Sequence, residues 1–242
     1  MKTATLNLSA EIKHRARDLG FDLVGIAPAE SSQYKDYFRE WLANGNAGEM
    51  DYLHRRFDER TDPATYLPGA RSVICVAMNY FVPHKPDLQV RVDPDLKGRL
   101  VADAHQTGKV ARYALGDDYH ELLKTRLFSL ADWVREVVPS AQTRVAVDTA
   151  PVMEKELAAR AGIGWMGKNT CIINEQIGSW IFLGEIITTL DLPADEPAID
   201  RCGTCRRCID ACPTQAITEP YKLDARKCIS YLTIEHRAEI SA

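Results

Sequence analysis

The sequence predicts a mixed α/β (α+β) domain over residues 1–195, followed by a small cysteine-rich module over residues 196–242. Two observations carry this reading. Helical and strand-like hydrophobic patterns alternate through the first four fifths of the chain, and five of the seven cysteines crowd into the last stretch. No internal repeat or low-complexity segment competes with it.

Residues 10–19 read as an amphipathic helix closed by Gly20, and residues 22–28 (DLVGIAP) as a short strand leaving it. A second helix is expected over residues 34–43. Residues 71–81 (RSVICVAMNYF), rich in Val and Ile, read as a buried strand. The polar, proline-dotted stretch 82–109 reads as a long surface excursion. Residues 119–138 form a helix with Leu122, Leu123, Leu127 and Trp133 on its apolar side. A strand at 144–147, a helix at 153–161 and a strand at 180–190 complete the domain.

Composition narrows the class. Hydrophobic residues make up 45% and charged residues 26% of the 242 positions, the usage of a soluble globular chain. The first residues, MKTATLNLSAEIKHRARDLG, place charges where a secretory signal needs an apolar stretch. No run approaches the roughly 18 apolar residues of a membrane helix, and the greasiest piece, residues 179–187, is broken by Glu185. A cytosolic protein with no membrane contact is expected, in which thiols stay reduced.

In that compartment the cysteine spacing is informative. Cys75 and Cys171 stand in apolar surroundings and read as small buried hydrophobes. CGTCRRCIDACP sets two residues between Cys202, Cys205 and Cys208, three before Cys212, and Pro213 after it. This is the bacterial ferredoxin run, in which one tight turn brings three thiolates to three corners of a 4Fe-4S cubane. Zinc is the alternative, but zinc draws its cysteines as two separated pairs. The fourth cysteine of such a run ordinarily serves a second cluster. Cys228 offers one further ligand, and the fourteen residues after it contain no cysteine. Either two clusters are incompletely supplied, or Cys202, Cys205, Cys208 and one of Cys212 and Cys228 hold a single cluster. The module is therefore expected to be a partial ferredoxin-like one, from a longer protein.

The segment 145–174 (VAVDTAPVMEKELAARAGIGWMGKNTCIIN) is the other informative stretch. Asp148 leaves the carboxyl end of a strand just before a helix, where ligands bind in α/β folds; a helix-capping role is the plain alternative. Gly162, Gly164 and Gly167 surround Trp165 and Met166, allowing tight turns and a close approach to a large ligand. The GxGxxG register is absent, so a dinucleotide site is not the reading.

These segments, with residues 67–74 (LPGARSVI), residues 110–120 (VARYALGDDYH), and CGTCRRCIDACPT followed by DARKCISYLTIE, resemble the epoxyqueuosine reductases over nearly the whole chain. No single motif carries the resemblance; order and spacing do. It implies a cobalamin-binding α/β domain related to reductive dehalogenases, a two-cluster ferredoxin module and commonly a helical-repeat tail. This sequence departs by stopping before the second cysteine run.

The resemblance also implies a reaction: two-electron reduction of the epoxide of epoxyqueuosine in tRNA to the alkene of queuosine. Asp148 matches the family's proton donor, and burial against the corrin and groups such as Trp165 is expected to raise its pKa. Cobalamin contacts are expected from Gly167, Lys168, Asn169 and Thr170, with Asp148, Arg60, Tyr113 and His120 beside them. His120, at a helix start, is not expected to ligate cobalt. The expected partners are a tRNA carrying epoxyqueuosine and a cellular reductant that the sequence does not identify, with the protein a monomer. The net charge of -4 opposes indiscriminate nucleic-acid binding, so a local face of Arg201, Arg206, Arg207, Arg226 and Lys227 is the candidate RNA contact. Rival readings are a reductive dehalogenase, disfavoured by the lack of a twin-arginine signal, a non-catalytic electron carrier, and an inactive fragment.

Overall fold

The computed structural model describes residues 2–81, 89–92, 106–109 and 111–240. In chain order it begins with helix α1 (Lys2–Asp18), strand β1 (Leu23–Pro28) and helix α2 (Lys35–Ala43). Three short helices follow, α3 (Tyr52–Arg55), α4 (Phe57–Thr61) and α5 (Pro63–Tyr66), then strand β2 (Ser72–Asn79). Next come the pair β3 (Gln89–Val92) and β4 (Gln106–Lys109), a 3₁₀ turn at Arg112–Ala114, helix α6 (Tyr119–Val137), strand β5 (Thr143–Ala146) and helix α7 (Glu154–Arg160). A small hairpin, β6 (Trp165–Met166) and β7 (Ile172–Ile173), leads into strand β8 (Ile181–Thr188). The cysteine-rich segment carries α8 (Arg207–Asp210), β9 (Ile217–Glu219), β10 (Lys222–Leu223) and α9 (Ile229–Ile234).

The central sheet has the order β1-β2-β8-β5, and every neighbouring pair is antiparallel. The mixed α/β expectation holds in its coarser form, and the antiparallel ladders place the domain in the α+β class. Strand alternation explains the layering. Ile74, Val76 and Ile186 face a core shared with Ile12 and Ala16 of α1 and with Leu123, Leu127, Leu130 and Val134 of α6. Val73, Cys75, Ala77 and Ile187 face the other way, onto Leu157, Ala158 and Ala161 around α7. Gly25 of β1 has no Cβ because α7 leaves no room: one built there would lie 2.0 Å from the Ala161 carbonyl oxygen.

Several expectations shift in detail. Gly20 (φ +85°) closes α1 with the Gly20 N–H on the Arg17 carbonyl and the Phe21 N–H on the Ala16 carbonyl, a Schellman stop. On α6, Leu123 and Leu127 are fully buried, whereas Leu122 is 40% exposed; Leu130, Ala131 and Val134 complete the apolar stripe at helical spacing. Within the expected surface excursion, β3 and β4 form an antiparallel pair; residues 82–88 and 93–105 lie outside the described residues. No helix among the described residues is long and apolar enough to cross a membrane.

The cysteine-rich segment packs against the loop after α2. The Trp41 indole donates to the Leu223 carbonyl (2.6 Å), the Ala225 N–H to the Asn46 carbonyl (3.0 Å), and the Glu49 N–H to the Tyr231 hydroxyl (2.8 Å). Gly48, at φ +60°, admits the Tyr231 ring where a Cβ would stand.

If the α6–sheet interface dominates stability, Leu127→Ala should cost about 3 kcal/mol through the cavity it leaves. Phe128→Ala, at a 52% exposed neighbour, should stay within about 0.5 kcal/mol of wild type. Chemical denaturation monitored by circular dichroism reads both.

Candidate active site and cluster module

The β5–β8 ladder ends at Ala146, opposite Glu185, and the chain turns out of the sheet at once. Asp148 takes φ +44°, a left-handed conformation that costs a residue with a Cβ and persists only where neighbours fix it. Its side chain is 50% exposed, and its Oδ2 lies 3.1 Å from His120 Nε2. His120 is in turn held by Asp118, whose Oδ1 lies 2.7 Å from Nδ1 and also accepts the His120 N–H as the N-cap of α6. A carboxylate–imidazole–carboxylate chain results.

Its electrostatics favour the imidazolium. Burial works to lower the His120 pKa, but the bonds to Asp148 and Asp118 outweigh it and the pKa is raised. The His120 backbone N–H, and then its ring, hold the Asp118 carboxyl below its ordinary range. Tyr119, next in sequence, stacks on Phe182 of β8 with ring centroids 4.1 Å apart, and Tyr113 meets its edge at 6.4 Å. Burial, then Asp148, pushes the Tyr119 hydroxyl well up.

Behind Asp148 the surroundings become more enclosed. Arg60, from α4, has its Nε buried with no hydrogen-bond partner among the described residues; burial lowers its pKa while Tyr52 and Glu154 support its charge. Burial raises the Glu154 carboxyl, with Asp148 adding to the effect and Lys155 and Arg60 opposing it. Tyr52 is pushed up to about 12 by burial and by Glu235, to which its hydroxyl donates at 3.1 Å. Arg60, Tyr113 and Asp148 are therefore brought to one region, as the sequence suggested, with Tyr52, Asp118, Tyr119, His120 and Glu154 around them.

Gly167, Lys168, Asn169 and Thr170 form the turn between β6 and β7. The Gly167 N–H meets the Cys171 carbonyl (2.8 Å), the Thr170 N–H the Gly167 carbonyl (2.9 Å), and Asn169 Oδ1 accepts the Cys171 N–H (3.1 Å). The glycines answer to this turn: Cβ atoms at Gly164 and Gly167 would strike the Ile173 carbonyl and the Asn169 and Ile173 side chains. Lys168 reaches the cluster module. Its ammonium donates to the carbonyls of Gly203 and Cys205, and its own carbonyl accepts the Tyr221 N–H (3.1 Å). Cys171 is exposed, where a buried hydrophobe was expected, because it sits at this turn; Cys75 is buried.

Cys202, Cys205, Cys208 and Cys212 follow one loop and turn, closed by the Cys205 N–H on the Cys202 carbonyl (2.8 Å) and the Cys212 N–H on the Ile209 carbonyl (3.2 Å). Backbone N–H groups of Ile217, Ala216 and Thr214 point at Cys212 Sγ and hold its thiol below the ordinary range. Among the described residues, no three His, Cys, Asp or Glu side chains are grouped closely enough to hold a metal ion as they stand. Of the basic residues singled out, Arg201 pairs with Glu175 (3.0 Å), Arg206 with Asp210 (3.6 Å) and Arg226 with Asp224 (2.8 Å). These pairs weaken the face as an RNA attractor.

Sequence reasoning passed over Asp118, Tyr119, Glu154 and the acidic side of His120. The Asp-x-His spacing at the start of α6 was the available signal; that the imidazole turns toward residue 148 depends on long-range strand pairing.

Comparison with known proteins agrees with this arrangement. Residues 60–149 match the family described as epoxyqueuosine reductase QueG, DUF1730, and residues 201–242 match a 4Fe-4S double cluster binding domain. The epoxyqueuosine reductase of Gloeobacter violaceus is 47% identical over 232 residues, 95% of this chain and 67% of that protein. The one from Xanthomonas campestris pv. campestris is 46% identical over 96% of this chain and 62% of that protein. A crystal structure of epoxyqueuosine reductase with a tRNA-Tyr epoxyqueuosine-modified stem loop superposes with TM-score 0.79 at 29% identity, covering 95% of this chain and 58% of that one. The chain thus spans about three fifths to two thirds of the length of these relatives. On the identity and extent of these matches, the chain belongs to the epoxyqueuosine reductase family.

Proposed function

We propose that this chain carries the reductive chemistry of its family: epoxide + 2 e⁻ + 2 H⁺ → alkene + H₂O, on epoxyqueuosine already in a tRNA. The observation that carries the reading is Asp148, held in a left-handed conformation against an imidazole that is itself held by Asp118. An epoxide opens when its oxygen receives a proton as the ring breaks, and a carboxyl coupled to an imidazolium is suited to deliver one. The Asp148–His120 pair holds one transferable proton. It rests on His120 Nε2 in the ion-paired form and passes to Asp148 Oδ2 as negative charge develops on the substrate oxygen. Asp118 keeps the ring oriented and stabilises its charged form.

The residues around Asp148 fit a large cofactor rich in acceptor oxygens, such as cobalamin. Arg60 Nε, and Trp165 Nε1 on β6 next to the Gly167–Thr170 turn, are buried donors without hydrogen-bond partners among the described residues, and the exposed ring of Tyr113 packs on Tyr119 beside His120. Cobalamin, when bound, would supply a strongly reducing cobalt nucleophile. Arg60, Tyr113 and the Gly167–Thr170 turn are the groups proposed to hold it. Cys202, Cys205, Cys208, Cys212 and Cys228 are proposed to bind 4Fe-4S iron, with the N–H groups around Cys212 matching the hydrogen bonding that cluster sulfurs accept. Lys168 ties the cofactor-facing turn to the cluster loop and so keeps the electron path short. We further propose that tRNA is the macromolecular partner, that the protein is a cytoplasmic monomer, and that residues 1–195 and 196–242 form its two domains.

Two outcomes test this reading. Anaerobically reconstituted, reduced protein with cobalamin and epoxyqueuosine-containing tRNA should form queuosine in a single turnover, read by nucleoside mass spectrometry. Asp148→Asn, which keeps the shape and removes the proton, should slow it by on the order of 100-fold or more; equal rates would reject Asp148 as donor. The second outcome concerns pH. Because bonding to Asp148 and Asp118 raises the His120 pKa, the protonated pair and its share of stability persist below that raised value and are lost as pH rises through it. The wild-type rate should fall on that alkaline side, and His120→Gln should abolish this limb of the pH–rate profile.

A further inference from the structure

Glu185 lies in the middle of β8, fully buried, and neither carboxyl oxygen has a hydrogen-bond partner among the described residues. Glu156 makes the contrast. It is almost as buried, yet it accepts from Ser32 Oγ, from the Gln33 N–H (3.0 Å) and from Arg160 (2.6 Å). A buried carboxylate left without donors or a countercharge is costly, so such a group stays protonated. Glu185 thus carries a proton that no structural bond uses.

Its position gives that proton a direction. Glu185 is directly opposite Ala146 on one side and Cys75 on the other, and both neighbours belong to the core on the α7 side of the sheet. On α7, Leu157, Ala158 and Ala161 face that core, and helical spacing puts Glu154 on the same stripe one turn earlier. Glu154 opens α7, six residues after Asp148. Glu185 interacts electrostatically with Glu154 and Glu154 with Asp148, and hydrogen bonds continue from Asp148 to His120 and Asp118.

Resting on the reductase reading above, we propose that Glu185 and Glu154 form a buried proton store that supplies Asp148 with the second proton of the reduction. The reaction consumes two protons for two electrons. The Asp148–His120 pair holds one, and with tRNA over the outer face the second is most directly drawn from within. As Asp148 gives its first proton to the opening oxygen, the store's proton moves through Glu154 to the Asp148 carboxylate and leaves with the oxygen as water.

The surroundings agree. Burial and then Glu154 push the Glu185 carboxyl well up, and ionisable groups that interact strongly titrate as a pair. Of the other groups nearby, Arg60 and Lys155 favour ionisation of Glu154. Cys75 is held neutral by burial; Asp195 is paired with Lys13 and the Ile26 N–H. A purely structural role predicts a different pattern, since an apolar side chain would fill the same space without a buried polar group.

Infrared difference spectroscopy of the resting protein, without substrate, should show a protonated-carboxyl C=O band at neutral pH that Glu185→Gln removes. Glu185→Gln and Glu185→Leu should both slow single-turnover queuosine formation by on the order of 10-fold to 100-fold, while Glu185→Leu melts no lower than wild type. Missing infrared change, or variants within two-fold of wild type across the pH range, would overturn the store. Wild type that forms no queuosine would overturn the assigned reaction instead, and the infrared band then decides the store by itself.

Discussion

The β2–β8 ladder is the constraint on which the rest depends. Its register, from Ser72 opposite Thr188 to Asn79 opposite Ile181, runs through the centre of the sheet and fixes what each end can build. Toward the Phe182 end, stacking of Phe182 on Tyr119 sets the start of α6 and hence His120. Toward the middle, the β5 ladder on the other edge of β8 stops at Ala146, so Asp148 emerges beside that imidazole. A one-residue slip would turn Glu185 and Ile187 to the α6 face and Ile186 to the α7 face. The core on both faces forbids it.

That arrangement separates two kinds of polar residue. The outer chain, Asp118–His120–Asp148, is hydrogen-bonded from one carboxylate through the imidazole to the other, and its charge is stabilised by these partners. Further in, Arg60 Nε and both Glu185 carboxyl oxygens have no hydrogen-bond partner among the described residues. Unsatisfied groups in a folded core lower stability, and their concentration behind one strained residue is the pattern expected where stability yields to chemistry. Lys168 shows the same economy at a distance, joining the β6–β7 turn to the loop that carries Cys202 and Cys205.

Much of this was legible in the sequence, for physical reasons. Long elements with a clear period, such as α6 and β2, were readable to within two residues because burial on one face imposes the period. The four-residue helices α3 and α5 and the two-residue strands β6 and β7 carry no period and were not seen. Cysteine spacing announced the cluster module because ligand geometry constrains it locally. Asp148 was found through resemblance, but the role of His120 was hidden, since its orientation depends on a residue twenty-eight positions away. Glu185 was visible as a charge interrupting an apolar run; only the sheet shows that nothing neutralises it.

Central to the proposed chemistry is one proton shared between His120 and Asp148. Selective ¹⁵N labelling of histidine, with imidazole shifts followed over pH, measures it directly. His120 should stay an imidazolium above the ordinary histidine value of about 6.5, and Asp148→Asn should lower its titration. A His120 that titrates at or below that value, unaffected by Asp148→Asn, would contradict it.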